Sequence, residues 1–402
     1  MTKSVPAQSI KLTDRVTLDC TMNSLKKHFA LSAEGYKCQT NDVWQIVVTA
    51  AARRSTIEAT CDDLTGAPAA NTVRGYLHDA LPPREIPALQ AACNAALAEQ
   101  LPDWLRQHPR EVACDLHDEP YYGKQQPQDP EHPETDPDYW ICRGEARAGT
   151  TRFYRCATAY VMHRGARLNL AVRFVHPGDP LNTVLQDLLA QVEALGITIR
   201  RLYLDKGFCG IPVLRELMAR PGLPVLMAAP IRGKKGGLRA LCRGATSYRT
   251  THTFRSAANG ELTVPVGVVR TFVRGQDKKW HLRWLVYVLL NLPDAPLRQV
   301  RKDYRRRFGI ETGYRLMEQV RARTTSNRAA LRFLLMGVAL LLVNLWIALH
   351  WRFLRRRGSG PRRVAREHFP LERMARFLSR AVEAIYGVVS VVDPAGVKSA
   401  VY

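Results

Sequence analysis

The order of apolar segments between residues 111 and 229 predicts a mixed α/β fold. Three observations carry that reading. A short apolar strand, Val112-Ala113-Cys114, ends in Asp115. Two longer strands follow in TRFYRCATAYVMHRGARLNLAVRFV, joined as a hairpin at His163-Arg164-Gly165. Helical and extended periods then alternate: the amphipathic DPLNTVLQDLLAQVEALG ending at Gly196, the strand ITIRRLYL running into Asp205, the helix IPVLRELMA and the inner strand PVLMAAP.

The resulting order, β, ββ, α, β, α, β, belongs to a ribonuclease H-like mixed sheet flanked by helices. Residues 105–229 and 299–350 are assigned to it. Residues 230–298 read as a β-rich insertion before the last helical block, with a basic glycine loop, RGKKGG, and the strands LTVPVGVVRTFVRG and RWLVYVLLN. Residues 1–104 read as an all-helical, DNA-binding domain. TNDVWQIVVTAAARRS places Val43, Ile46, Val47 and Ala50 on one helical face. A turn with Gly66 and Pro68 then leads into NTVRGYL, the outline of a helix-turn-helix or of an ordinary helical hairpin. The Pro- and acid-rich 125–140 reads as an exposed loop. The apolar 333–349 sits at the short limit of a membrane span and contains Asn344, so it is read as a buried core helix. Residues 351–402 read as a basic helical region: WRFLRRRGSGPRRVAR tracks DNA or serves as a solvated linker, and LERMARFLSRAVEAI is an amphipathic helix.

The chain has 402 residues, a formal net charge of +23 and 46% hydrophobic residues. Such a basic balance points to a polyanionic partner, nucleic acid first. The charge is uneven: residues 301–370 hold 17 Lys and Arg against four Asp and Glu, and residues 101–140 hold three against ten. Nine scattered cysteines without a Cys-x-x-Cys pair argue against a disulfide framework or a zinc site. With no charged-then-apolar pattern at the N-terminus, they predict a cytoplasmic protein without a membrane segment.

Asp115 and Asp205 each end an apolar strand, at the edge where open α/β sheets build their sites. A helix N-cap is the simpler explanation for either, and Asp118 is an alternative to Asp115. Glu311 supplies a third carboxylate. Three converging carboxylates hold two divalent cations of the kind that assist phosphodiester chemistry; all-oxygen ligands suit Mg²⁺, with Mn²⁺ as a substitute. In a continuous helix Tyr304, Arg307 and Glu311 share one face, which suits phosphate binding or a plain Arg307–Glu311 ion pair.

DYRRRFGIETGYR resembles the C-terminal signature of insertion-sequence DDE transposases, in the branch marked Y-(2)-R-(3)-E-(6)-K. Tyr304, Arg307 and Glu311 match in order and spacing. YLDKGF with Asp205 resembles the second catalytic block and CDLHDEPYYG with Asp115 the first. Two positions depart: Glu318 stands where the family has lysine, and His117 where threonine is common. Arg315, Arg321 or Arg323 are the candidates to cover the missing lysine.

The resemblance implies a transposase whose Asp115, Asp205 and Glu311 bind two Mg²⁺. It implies water-driven cutting at the transposon end, then attack by the freed 3′-OH on a second phosphodiester, without a covalent protein–DNA bond or ATP. It gives Tyr304 and Arg307 to DNA near the cleavage point. Terminal inverted repeats and target DNA are the expected partners, held by a synaptic homodimer. Trp280 in the insertion is preferred over Trp284 for stacking on an unstacked base. The competing readings are a decayed or domesticated DNA-binding copy and a different ribonuclease H-like nuclease.

Overall fold

The structure, a computed structural model, describes residues 11–124, 131, 138–163, 166–292, 294–307, 309–354, 364 and 366–391; side chains are not described at 83, 162, 163, 166 and 306–313. The expected hairpin turn at 164–165, most of the 125–140 loop, and most of the basic arm between 355 and 365 lie outside the described residues.

The chain opens with α1 (Asp14–His28), a two-residue ladder of β1 (Glu34–Gly35) and β2 (Cys38–Gln39), then α2 (Thr40–Arg53), α3 (Ile57–Asp62), α4 (Ala70–Ala80) and α5 (Ile86–Glu99). Thr13 and Thr56 cap α1 and α3 by accepting from Val16 N and Ala59 N, which occupies amide groups a helix start leaves open. Next come β3 (Arg110–Pro120), β4 (Ile141–Arg147), β5 (Thr150–His163), β6 (Ala166–Val175), α6 (Leu181–Ala194), β7 (Ile199–Leu204), α7 (Ile211–Met218) and β8 (Val225–Ala229). The insertion holds α8 (Gly237–Ala240), β9 (Tyr248–Ser256), β10 (Gly260–Arg274) and β11 (Trp280–Leu290). The chain closes with α9 (Leu297–Arg307), α10 (Gly309–Glu318), α11 (Ala329–Phe353) and α12 (Leu371–Tyr386).

One nine-stranded sheet organises the molecule, in the order β5-β3-β7-β8-β11-β10-β9, with β4 and β6 along the outer edge of β5. β3, β7 and β8 are parallel; the other pairs are antiparallel. This is the expected mixed sheet. The insertion holds one strand more than the sequence predicts: β9, YRTTHTFRS, is additional, and β11 pairs with β8, so the insertion prolongs the main sheet. β9 lies at the sheet's edge, with Tyr248 and Phe254 packed against the core and arginines and threonines on its other face, so few apolar residues mark it.

Strand alternation sorts the core. Val112, Cys114, Leu202 and Leu204 face the larger cluster, with α6, α7 and α11. Ala113, Tyr203, Leu226 and Tyr287 face a smaller one covered by Val300 and Tyr304 of α9. The free edge of β6 is closed by side chains instead of a strand. Asn94 of α5 donates to Val172 O (3.1 Å) and accepts from Val172 N (2.7 Å), and Gln90 accepts from Phe174 N (2.7 Å). These amides satisfy the backbone row that an edge strand leaves open.

Helix α11 spans 25 residues, longer than the expected 333–349, and 94% of its most apolar window is buried inside the molecule. Asn344 has a structural reason. It accepts from Asn169 N (2.9 Å) and donates to Asn169 O (2.8 Å), beside the register shift between β5 and β6. Asn344→Leu strands both backbone groups and is expected to cost about 1–3 kcal/mol, read as a lower unfolding midpoint. Helix α12 buries Met374, Leu378 and Val382, while Arg53 of α2 donates to Glu383 (2.8 Å) and Ser379 (2.9 Å). Its apolar face is used within the chain. All nine cysteines are unpaired.

Candidate active site

The site is set by the pairing of β3 with β7. Cys114 lies opposite Leu204, the last pair of the parallel ladder; Asp205 follows the end of β7, whereas Asp115, expected to end its strand, lies inside β3, which continues to Pro120 paired with β5. Neighbouring strands are about 4.8 Å apart, so both carboxylates leave the same edge of the sheet at the same level. Alternation places them with Ala113 and Tyr203, on the face that α9 covers. Asp205 is extended (φ −75°, ψ 162°) and precedes a one-turn helix, Lys206–Phe208, without capping it through its side chain. The N-cap explanation therefore fails for Asp205. Asp115 Oδ1 accepts from Leu116 N (2.9 Å). Asp118, the alternative ligand, has alternated to the other face and is gripped by Arg155 through two bonds (2.6 and 3.1 Å).

Two tyrosines tie the helices to these strand ends. Tyr304 of α9 is 3% exposed and donates to Leu204 O (3.2 Å), the carbonyl just before Asp205. Tyr314 of α10 donates to Asp115 O (3.4 Å) and shares a bond with Thr158 Oγ1 (2.7 Å). Burial, with the charge of Asp115 next, holds the Tyr314 phenol well above its ordinary pKa, so it stays a neutral donor. Glu311 lies on α10, one turn before Tyr314. Its backbone is thus held above the edge that bears Asp115 and Asp205; its side chain and that of Arg307 lie outside the described residues. Among the described residues no group of three His, Cys, Asp or Glu is arranged to hold a metal ion.

Several expectations change here. Tyr304 and Arg307 lie on α9 and Glu311 on α10, which are described on either side of residue 308; the expected single helical face runs through that residue, outside the described ones. Tyr304 was expected to hold DNA, but it is packed in the core against Tyr287, with ring centroids 4.9 Å apart. Arg321 was expected on DNA too, and is instead drawn inward by Glu119 and by Glu318 (3.0 Å). Glu119 is 5% exposed and also takes Arg332 of α11 (3.2 Å), whose guanidinium lies over the Tyr121 and Tyr154 rings. Glu318, in the family's lysine position, thereby sits at the partly exposed end of this ion cluster. The second departure, His117, lies beside the first: it stacks on Tyr314 (4.5 Å) and approaches Glu318 to 3.6 Å. Burial keeps the His117 pKa below its ordinary value, against the opposing pull of Glu318.

Arg315 and Arg323 are exposed, on α10 and on the segment after it. Trp280 is 68% exposed at the start of β11, whereas Trp284 is half-buried against the main core. β8 pairs only with residues 286–290 of β11, so 280–285 run on past Ala229 for about 20 Å at ~3.4 Å per residue. The hairpin overhangs the edge that carries both aspartates. Alternation puts Trp280 on the hairpin face away from α9. Sequence reasoning missed Tyr314, Thr158, Glu119 and Arg332; only Tyr314 carried a signal, one turn after Glu311.

The family model described as the transposase DDE domain matches residues 142–345, half of the chain, including Asp205 and Glu311. The chain belongs to this DDE transposase family, whose members as a rule depend on a divalent metal ion. Asp115 lies upstream of the matched segment. Among solved structures, a piggyBac transposase in a synaptic complex with hairpin DNA is similar in fold: TM-score 0.53, 11% identity, covering 92% of this chain and 76% of that one. That likeness supports the ribonuclease H-like fold. No curated protein matches the chain.

Proposed function

We propose that this chain binds the ends of an insertion sequence and catalyses DNA strand cleavage and strand transfer, with Asp115, Asp205 and Glu311 as the catalytic carboxylates. The observation that carries the reading is the placement of Asp115 and Asp205 at one level on adjacent parallel strands, with the Glu311 helix fastened across them by Tyr314. The donor set fits hard divalent cations, because Asp115 and Asp205 offer oxygen and His117, two residues on, is stacked away. Two Mg²⁺ ions, with Mn²⁺ as substitute, would be held by the three carboxylates and would supply activation of the attacking oxygen and stabilisation of the leaving one.

The chain's own contribution is rigidity. Tyr304 and Tyr314 fix the two strand ends, and the Glu119–Arg321–Arg332 cluster clamps the segment after α10 to β3. The chemistry is hydrolysis of one phosphodiester, followed by attack of the freed 3′-OH on a second. Arg307, Arg315 and Arg323 are assigned to DNA, and Trp280 on the overhanging hairpin to stacking on an unstacked base. Terminal inverted repeats and target DNA are the substrates of a synaptic homodimer. The reading places the protein in the cytoplasm.

Cleavage and joining of a labelled transposon-end duplex with Mg²⁺ tests this reading: products from the wild type support it, and inactivity on the true end sequence overturns it. Tyr314→Phe keeps the ring stack and loses the hydroxyl. It is expected to cost about 1 kcal/mol in stability and to slow cleavage more than it weakens DNA affinity, checked by paired kinetic and binding assays.

A further inference from the structure

The loop between β8 and β9 takes no part in the site described so far. Residues 230–247 contain Arg232, Lys234, Lys235, Arg239 and Arg243 and no Asp or Glu. All five cations are exposed. Among the described residues none of the five forms an ion pair, whereas arginines such as Arg155, Arg173, Arg201 and Arg220 are matched to carboxylates. Bringing five like charges together opposes folding and is offset only when an anion arrives.

The loop has a defined course. It leaves β8 at Ala229, the third parallel strand, and so starts from the edge that bears Asp115 and Asp205. Leu238 is buried and pins its middle. Arg239 Nε donates to Gly233 O (2.6 Å), and Tyr248 donates to Leu241 O. Gly233 and Gly236 take the left-handed backbone (φ +75° and +79°) that lets the chain turn between the cations. At one end, Arg232 acts on the thiol of Cys209, just past the Asp205 turn: burial pushes that pKa up to about 11 and Arg232 pulls it down. At the other end, Ser247 accepts from Arg270 N (3.0 Å) on the overhanging hairpin. The cations thus line the span from the Asp205 corner to the hairpin.

We propose that the loop 231–243 is a cradle for the phosphate backbone of duplex DNA lying across the carboxylate edge, a contact that positions DNA without reading its sequence. This rests on the reading of the chain as a DNA transposase. Exposed, unmatched cations on a pinned loop suit a repeating array of phosphates, and contacts to phosphate carry no sequence information.

The test is the salt dependence of binding by the full chain to two duplexes, the transposon end and an unrelated sequence. Each phosphate contact contributes about 0.9 to the slope of log Kobs against log salt. The triple variant Arg232→Ala/Lys234→Ala/Lys235→Ala is expected to lower that slope by about two to three and to weaken both duplexes by the same factor. An unchanged thermal unfolding curve verifies its fold. Asp205→Asn is expected to leave the slope unchanged and to lose cleavage. A wild-type slope in the triple variant, alongside normal DNA binding and cleavage by the wild type, overturns the cradle and leaves the transposase reading intact. Weakening confined to the end sequence also overturns it. Absence of DNA binding by the wild type overturns the functional reading and the cradle with it.

Discussion

Asp205→Asn is expected to abolish strand cleavage while DNA affinity stays within about two-fold, because asparagine keeps the shape of the side chain and removes the charge that gathers cations. Cation assistance to phosphodiester cleavage amounts to several kcal/mol, and each ~1.4 kcal/mol is a factor of ten in rate. Losing one ligand is therefore expected to cost about three orders of magnitude or more. Asp115→Asn is expected to match it, since β3 and β7 present the two carboxylates in equivalent positions. Single-turnover cleavage of an end duplex measures both. Unequal losses, with Asp115→Asn near wild type, would remove Asp115 from the site and return attention to the neighbouring acids of β3.

Arg332→Met is the second large expected effect, and it falls on stability. Arg332 is buried, faces Glu119, and donates to Ser326 O (2.6 Å). Methionine fills much of the volume but leaves Glu119 with Arg321 as its remaining cation and Ser326 O without this donor. Breaking a buried pair from one side costs about 3–5 kcal/mol, read as a lower denaturation midpoint. Arg332→Lys is expected to recover only part of the loss, because an ammonium does not reproduce the planar fork that reaches several acceptors at once. Arg321 keeps its charge in this cluster: burial works against it, and Glu119 and Glu318 hold its pKa above the ordinary value.

The catalytic strands were legible because their signal is local. An apolar run such as RRLYL that stops at an aspartate shows both the strand and its edge, as β7 does before Asp205, whereas β3 runs on past Asp115 to Pro120 because its polar second half still pairs with β5. Glu311 was legible only through its spacing from Tyr304 and Arg307, a signal of ancestry more than of geometry. The same spacing misled where tertiary contacts decide. Tyr304 sits among five arginines and a lysine, which favours a solvated reading, yet it shares a turn with Val300 and both enter the core beneath α9. Arg321 reads as a DNA contact until the fold brings Glu119 of β3, some two hundred residues earlier, against it. The two departures from the family pattern looked unrelated in the chain. The fold sets His117 and Glu318 side by side around Tyr314, and no periodicity in the sequence records such a pairing.

The most direct test of the three-carboxylate site is Mn²⁺ binding by the full chain with an end duplex present, followed by electron paramagnetic resonance. Wild type is expected to take up Mn²⁺, and Asp115→Asn, Asp205→Asn and Glu311→Gln are each expected to weaken uptake by about ten-fold or more. Wild-type affinity in Glu311→Gln would contradict the account, leaving two strand-end aspartates without the helix that is proposed to complete them.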